Sequence, residues 1–282
     1  MLMNNKSSIL VLFSAIFFAT GGLFYKIASW NSLAICTGRS LIALVLIIIF
    51  LILTKHKFVV NATVILAAIG NASTSVLYSM ANKMTTAGNT IVLQFTMPVY
   101  VIIISSIINK KKPNKLEVST CFFVLLGIVL FFIDSLTAGN MLGNILALVS
   151  GITYALFFIF NGKENADPLS TLVISLFLSA MVGMSEFVKT DFINTTTATW
   201  LAVIGLGVIQ QALGHSFLAI GIKGTSSITA SLLSGLEPVL NPILAAIFYN
   251  ELLTPLSLVG AIIVLVTIIS YNVIISRNKE SS

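Results

Sequence analysis

The stretch Ser231-Leu-Leu-Ser-Gly-Leu-Glu-Pro-Val-Leu-Asn-Pro-Ile-Leu-Ala-Ala-Ile-Phe-Tyr-Asn-Glu-Leu-Leu-Thr254 decides how this chain folds. It is apolar enough to lie in a bilayer, yet it carries a carboxylate, an amide and two prolines at its middle. Glu237 and Asn241 are four residues apart and share one helical face. Pro238 and Pro242 have no N–H, so the carbonyls of Ser234 and Pro238 lose their usual donors. In hydrocarbon a freed carbonyl and an ionisable group are both costly. They are tolerated where they face protein or a water-filled cavity. The stretch therefore predicts a polar cavity near the middle of a membrane, and such a cavity belongs to something that moves solute.

The rest of the chain agrees. Its 282 residues are 57% hydrophobic and only 9% charged, with a mean hydropathy of +1.05. Soluble domains run near a quarter charged. Apolar runs of about 20 residues, enough to span a bilayer as helix, recur along the whole length. The alternation of a membrane β-barrel is missing. The expected fold is all-α and polytopic, with ten transmembrane helices. These are placed near 9–28, 33–53, 62–80, 89–108, 116–133, 142–160, 169–188, 200–220, 227–249 and 256–275. The apolar run after Lys6 is too long for a signal peptide and reads as an uncleaved first span. Cys36 and Cys121 fall inside spans and act as small apolar residues.

The net charge of +6 does not point to nucleic acid, because the basic residues lie in short loops between spans. Lys6, Lys55, Lys57, Lys110, Lys111, Lys112, Lys115, Lys163, Lys223, Arg277 and Lys279 fall on one side. Lys26, Lys83 and Lys189 fall on the other. The bias predicts a cell-membrane protein with both termini in the cytoplasm and an even number of spans.

A weak internal repeat accompanies this layout. A shift of 140 places Pro98-Val99 on Pro238-Val239, and a shift of 136 places Ile9-Leu10 on Ile145-Leu146. Two halves of five spans each must be inverted relative to one another. Inverted repeats with broken helices around a midplane site are the build of secondary transporters. The expected division is 1–137 for the first half, 138–276 for the second and 277–282 for a polar, mobile tail.

Three stretches now carry a resemblance. Leu236-Glu-Pro-Val239 with Tyr249-Asn-Glu-Leu-Leu-Thr254, Met97-Pro-Val-Tyr100 with Leu126-Gly-Ile-Val129, and Ala34-Ile-Cys-Thr-Gly-Arg39 resemble the drug/metabolite transporter superfamily, in its EamA-type ten-helix branch. Asn109-Lys-Lys-Lys112 departs from the Gly-Glu usual there, and Asn250 stands where glycine is common. The resemblance implies a carrier of small metabolites, often an exporter of amino acids or related compounds, with the two halves as EamA-type repeats.

The candidate substrate-binding or coupling residues are Glu237, Arg39, His215, Gln211, Gln94, Asn241, Asn71 and Tyr78. Glu237, near the bilayer centre, can bind a substrate amine or load and release a proton. Its bland alternative is a carboxyl bonded to a neighbouring helix. Arg39 can hold a substrate carboxylate or pair with Glu237; otherwise it snorkels to the interface. His215 suits proton coupling, with Gln211 four residues earlier on its face; otherwise it is a neutral hydrogen-bonded histidine. Gln210 points about a hundred degrees away from Gln211 on an α-helix, so only one of the two is expected in a cavity. Gln94 matches Ser234 under the repeat, and Pro98 frees its carbonyl. Asn71, Ser75 and Tyr78 make a polar stripe that either lines the pathway or bonds helices together. Pro98, Pro238 and Pro242 are candidate hinges. Trp30, Trp200, Tyr249 and Tyr271 read as an interfacial aromatic belt.

The chain lacks H-E-x-x-H and G-x-S-x-G, and its aspartates sit in loops, so an intramembrane enzyme is not expected. No Walker motif is present to use ATP. No cofactor or metal is expected. The expected partners are a small-molecule substrate and membrane lipid, with a second copy of the chain, as a homodimer, also open. A passive channel for small polar solutes is the competing function.

Overall fold

The computed structural model describes residues 5–85, 87–110, 112–133, 140–249 and 254–280. Lys111, Asp134, Asn250 and Glu251 lie outside these, as do the side chains of Lys26, Lys83, Pro242, Tyr249, Arg277 and Lys279. The described residues are helical, without a strand.

The helices are α1 (Asn5–Ala19), α2 (Gly21–Ile27), α3 (Ser32–Leu53), α4 (Ala62–Met84), α5 (Ala87–Gln94), α6 (Met97–Asn109) and α7 (Lys115–Phe132). Then come α8 (Met141–Asn161), α9 (Pro168–Val188), α10 (Thr197–Gly205), a π-helical segment (Leu206–Gly214) and α11 (His215–Lys223). The chain ends with α12 (Ser227–Leu233), a 3-10 turn (Ser234–Leu236), α13 (Glu237–Tyr249) and α14 (Pro255–Glu280). Nine helical stretches among the described residues are long and apolar enough to cross a bilayer. The segment at 227–249 is helical throughout, but the 3-10 turn divides it and it is not among the nine. Helix α14 continues through 277–280, where a mobile tail was expected.

Helix starts follow local chemistry. Asn31, Asn61, Asn114, Asn140, Asp167, Thr196 and Ser226 each accept a hydrogen bond from a backbone N–H of the first turn. Apolar length then carries each helix across.

The breaks also have local causes. Pro98 interrupts the i+4 ladder between α5 and α6. Pro238 does the same before α13, and there the carbonyl of Ser234 is not left orphaned. It accepts from the N–H of Glu237 through the 3-10 turn. The break at Thr20 between α1 and α2 was not anticipated. Thr20 Oγ1 bonds back to the carbonyl of Phe17, 2.7 Å away, and two glycines follow.

The packing pairs α4 with α8, and the π segment and α11 with α1. It pairs α4 with α9 and α3 with the π segment, and it sets α3 against α9 and α7 against α14. Gly127 and Gly260 let the last pair touch backbone to backbone. Tyr271 corrects a reading made above: it is 1% exposed and its hydroxyl lies 3.1 Å from Thr229 Oγ1. It ties α14 to α12 and is no part of an interfacial belt.

The α3–α9 pair is clasped at both ends. At the lysine-rich end His56 Nε2 lies 3.0 Å from Asp167 Oδ2, and Asn61 Nδ2 donates to the carbonyl of Asn165 at 2.8 Å. At the opposite end Trp30 Nε1 donates to Thr195 Oγ1 at 3.0 Å. The Trp30 ring packs edge-on against Phe187, Phe192 and Trp200.

Candidate functional site

The breaks surround a cavity of about 390 Å³. All eight residues singled out as binding or coupling candidates line it: Arg39, Asn71, Tyr78, Gln94, Gln211, His215, Glu237 and Asn241. They come from six different elements, so tertiary packing brings them together. The walls between them are aromatic and apolar: Phe18, Tyr25, Ile91, Phe132 and Tyr154.

The cavity runs to one face. Ser32 begins α3, Tyr25 sits in the last turn of α2, and Phe132 ends α7. Toward the lysine-rich face the lining stops at Phe18, Tyr154 and His215. Beyond it lie Val11, Phe157, Phe158, Leu218 and Ile222, each at most 1% exposed. The cavity is thus closed on the lysine-rich side by close-packed apolar side chains.

Glu237 is the first residue of α13, directly after the 3-10 turn. Pro98, Pro238 and the backbone at 242 lie in α6 and α13 at this level. Among the described residues the Glu237 carboxylate has neither a hydrogen bond nor an ion pair. Arg39 is 6% exposed, donates from Nη1 to Gln210 Oε1 at 2.8 Å, and lies 5.5 Å from the Tyr25 ring centroid. Its Nε has no hydrogen bond. No ion pair joins Arg39 to Glu237, so the acid and the base of the cavity stand apart.

His215 is 8% exposed, with Nδ1 3.1 Å from the carbonyl of Gln211 and Phe18 edge-on against its ring. A carbonyl can only accept, so Nδ1 carries the proton and Nε2 is left as acceptor. Asn71 donates to Ser175 Oγ at 3.0 Å, a bond to α9 that gives it a helix-joining part beside its place in the wall. Gln94 is 8% exposed, and its carbonyl faces Gly151 of α8.

Two glycines and one glutamine were missed. A Cβ at Gly21 would collide with Gln210 Nε2, and a Cβ at Gly22 would collide with Asn241 Oδ1. The doublet that follows the helix break therefore makes room for two polar side chains. Gln210 corrects the α-helical reading of its direction, since both glutamines line the cavity. The cause is the π segment: i→i+5 bonding puts more residues in each turn, so neighbouring side chains diverge by less than on an α-helix. Isolated glutamines in an apolar run gave no signal of that.

Comparison with known proteins agrees with this geometry. The sequence matches the EamA-like transporter family twice, over residues 5–133 and 141–273. A relative in Archaeoglobus fulgidus named "Uncharacterized transporter" is 24% identical over 256 residues, 90% of this chain and 92% of the relative. "Uncharacterized transporter YyaM" of Bacillus subtilis is 24% identical over 283 residues, 92% of this chain and 90% of the relative. A crystal structure superimposes with a TM-score of 0.83 over 96% of this chain and 99% of that one. At 14% identity it speaks for the fold alone.

Proposed function

We propose, from the premise that this chain belongs to the EamA-like transporter family and is a membrane transporter and not an enzyme, that it is a secondary transporter, an exporter, of small zwitterions such as amino acids. It acts across the cell membrane by alternating access, with both termini in the cytoplasm. Ten spans form two inverted five-helix halves, and the segment at 227–249 is the ninth span.

The observation that carries the substrate class is Arg39 and Glu237 in one cavity without an ion pair between them. A buried charge without a partner is costly. A ligand with an anion at one end and a cation at the other relieves both at once. The aromatic walls suit an apolar body between those ends.

The contact pattern supports the repeat. Exchanging the halves turns the pairing of α4 with α8 into that of the π segment and α11 with α1. It turns α4 with α9 into α3 with the π segment, and leaves α3–α9 and α7–α14 unchanged. The breaks before Pro98 and Pro238 exchange in the same way. Glu237 provides a group that can carry a proton, and the gradient that drives export is of substrate or of protons.

The test is flux into proteoliposomes of purified protein, using a labelled mixture of L-amino acids with and without an imposed pH gradient. Saturable uptake with exchange of preloaded label is the expected result. Uptake that stays linear in concentration and shows no exchange would mean a passive pore.

A further inference from the structure

We propose that Gln210 completes, with Arg39, a subsite for a single carboxylate, and that it sets the preference for zwitterions over amines; this rests on the zwitterion transport proposed above. A guanidinium has donors only. Gln210 must therefore turn its carbonyl oxygen to Arg39, as the 2.8 Å distance from Nη1 to Oε1 shows. That fixes the other end of the amide. The NH2 group lies over Gly21, in the space that the missing Cβ leaves. Arg39, Gln210 and Gly21 all line the cavity.

Donors remain on Arg39, since a guanidinium carries five N–H groups and Gln210 Oε1 takes one of them. Arg39 is more than nine-tenths buried, and the Tyr25 ring lies 5.5 Å from its carbon Cζ. A carboxylate in the cavity meets N–H groups from the guanidinium and from the amide. The amide is neutral, so it orients Arg39 without cancelling its charge. An acid in that place would cancel it. Among the described residues the lining holds one arginine and no lysine, a charge that matches a monoanion. The π segment is what delivers Gln210, because an α-helix would turn it away from the wall that Gln211 and His215 share.

The test compares two labelled mixtures in proteoliposomes: the L-amino acids, and the amines left when each loses its carboxylate. Wild-type protein should prefer the amino acids. In Gln210→Glu the new carboxylate occupies Arg39. Amino-acid uptake should fall by about tenfold or more, the size of one lost charge-assisted hydrogen bond, while amine uptake is kept or rises. Gly21→Ala displaces the NH2 group without changing charge, and should raise KM for amino acids while leaving Vmax. A purely structural part for Gln210 would instead lower both mixtures in step.

Should Gln210→Glu not insert, Gln210→Met, of similar size and uncharged, carries the same comparison and should lose the preference for amino acids. An unchanged ratio of amino acid to amine in an inserted variant overturns this inference alone. A wild type that moves no amino acid overturns the zwitterion reading and this inference with it.

Discussion

Glu237 shows how much one residue can announce. A carboxylate in an apolar run must face a cavity or a partner, and here it faces a cavity. Glu237→Gln keeps the shape and removes the proton-carrying charge. We expect that variant to insert normally and to lose the part of transport that depends on the pH gradient, measured as uptake with and without the gradient. Wild-type behaviour would remove Glu237 from coupling. Gly22 makes a different kind of prediction. Its missing Cβ is the space that Asn241 Oδ1 fills. Gly22→Ala should therefore push Asn241 out of place and cut transport several-fold while leaving the folded protein monodisperse. Nothing at position 22 in the sequence signals this, because the partner is about 220 residues away in the chain.

Breaks matter more than spans at the scale of the element. Prolines make two of the breaks legible in sequence, and the 3-10 turn before Glu237 shows how the freed carbonyl of Ser234 is satisfied. The break at Thr20 rests on a weaker local signal, a back-bonding threonine before two glycines. The π segment follows no such residue code, and packing accompanies it, as Gly207 against the carbonyl of Arg39 and Gly214 against Phe18 illustrate.

Two element-scale predictions follow from the helix pairs. In α14, a Cβ at Gly260 would stand 2.5 Å from both Gly127 O and Phe131 N. Gly260→Ala must push α7 away, at a cost of about 1–3 kcal/mol, read as a lower thermal midpoint in detergent. In the clasp of α3 and α9, burial disfavours the charged form of Asp167. Hydrogen bonds from Ser170 and His56 outweigh it and hold the carboxyl below its usual range. The folded value is thus below the unfolded one. The stabilisation is complete above the ordinary aspartate value of about 3.9 and is lost as pH falls through the folded value. Asp167→Asn should therefore lower the thermal midpoint at neutral pH and matter progressively less in acid. An equal loss at every pH would contradict that.

The whole molecule is where orientation belongs. Lys55, Lys57 and Lys223 gather at the closed end of the cavity, so the lysine bias and the closed side coincide. If both termini are cytoplasmic, as proposed, the structure is an outward-open state. A reporter fused after Ser282 should be active only when it matures inside the cell. Activity restricted to the outside would reverse the orientation and make the same structure inward-open.

The sequence by itself determined that this is an all-helical membrane protein, roughly where its apolar runs lie, and which polar residues in them need shelter. Hydrocarbon imposes those outcomes locally, since each run must be long and apolar and each intramembrane charge must find shelter. Only the tertiary structure decided that Arg39 and Glu237 line one cavity without an ion pair between them and that Gln210 lines it too. It also decided that Tyr271 is a buried bond between helices. These depend on the rotation of one helix against another. That rotation is set by glycine contacts, a π turn and backbone approaches between residues far apart in the chain, and no window of sequence contains both partners.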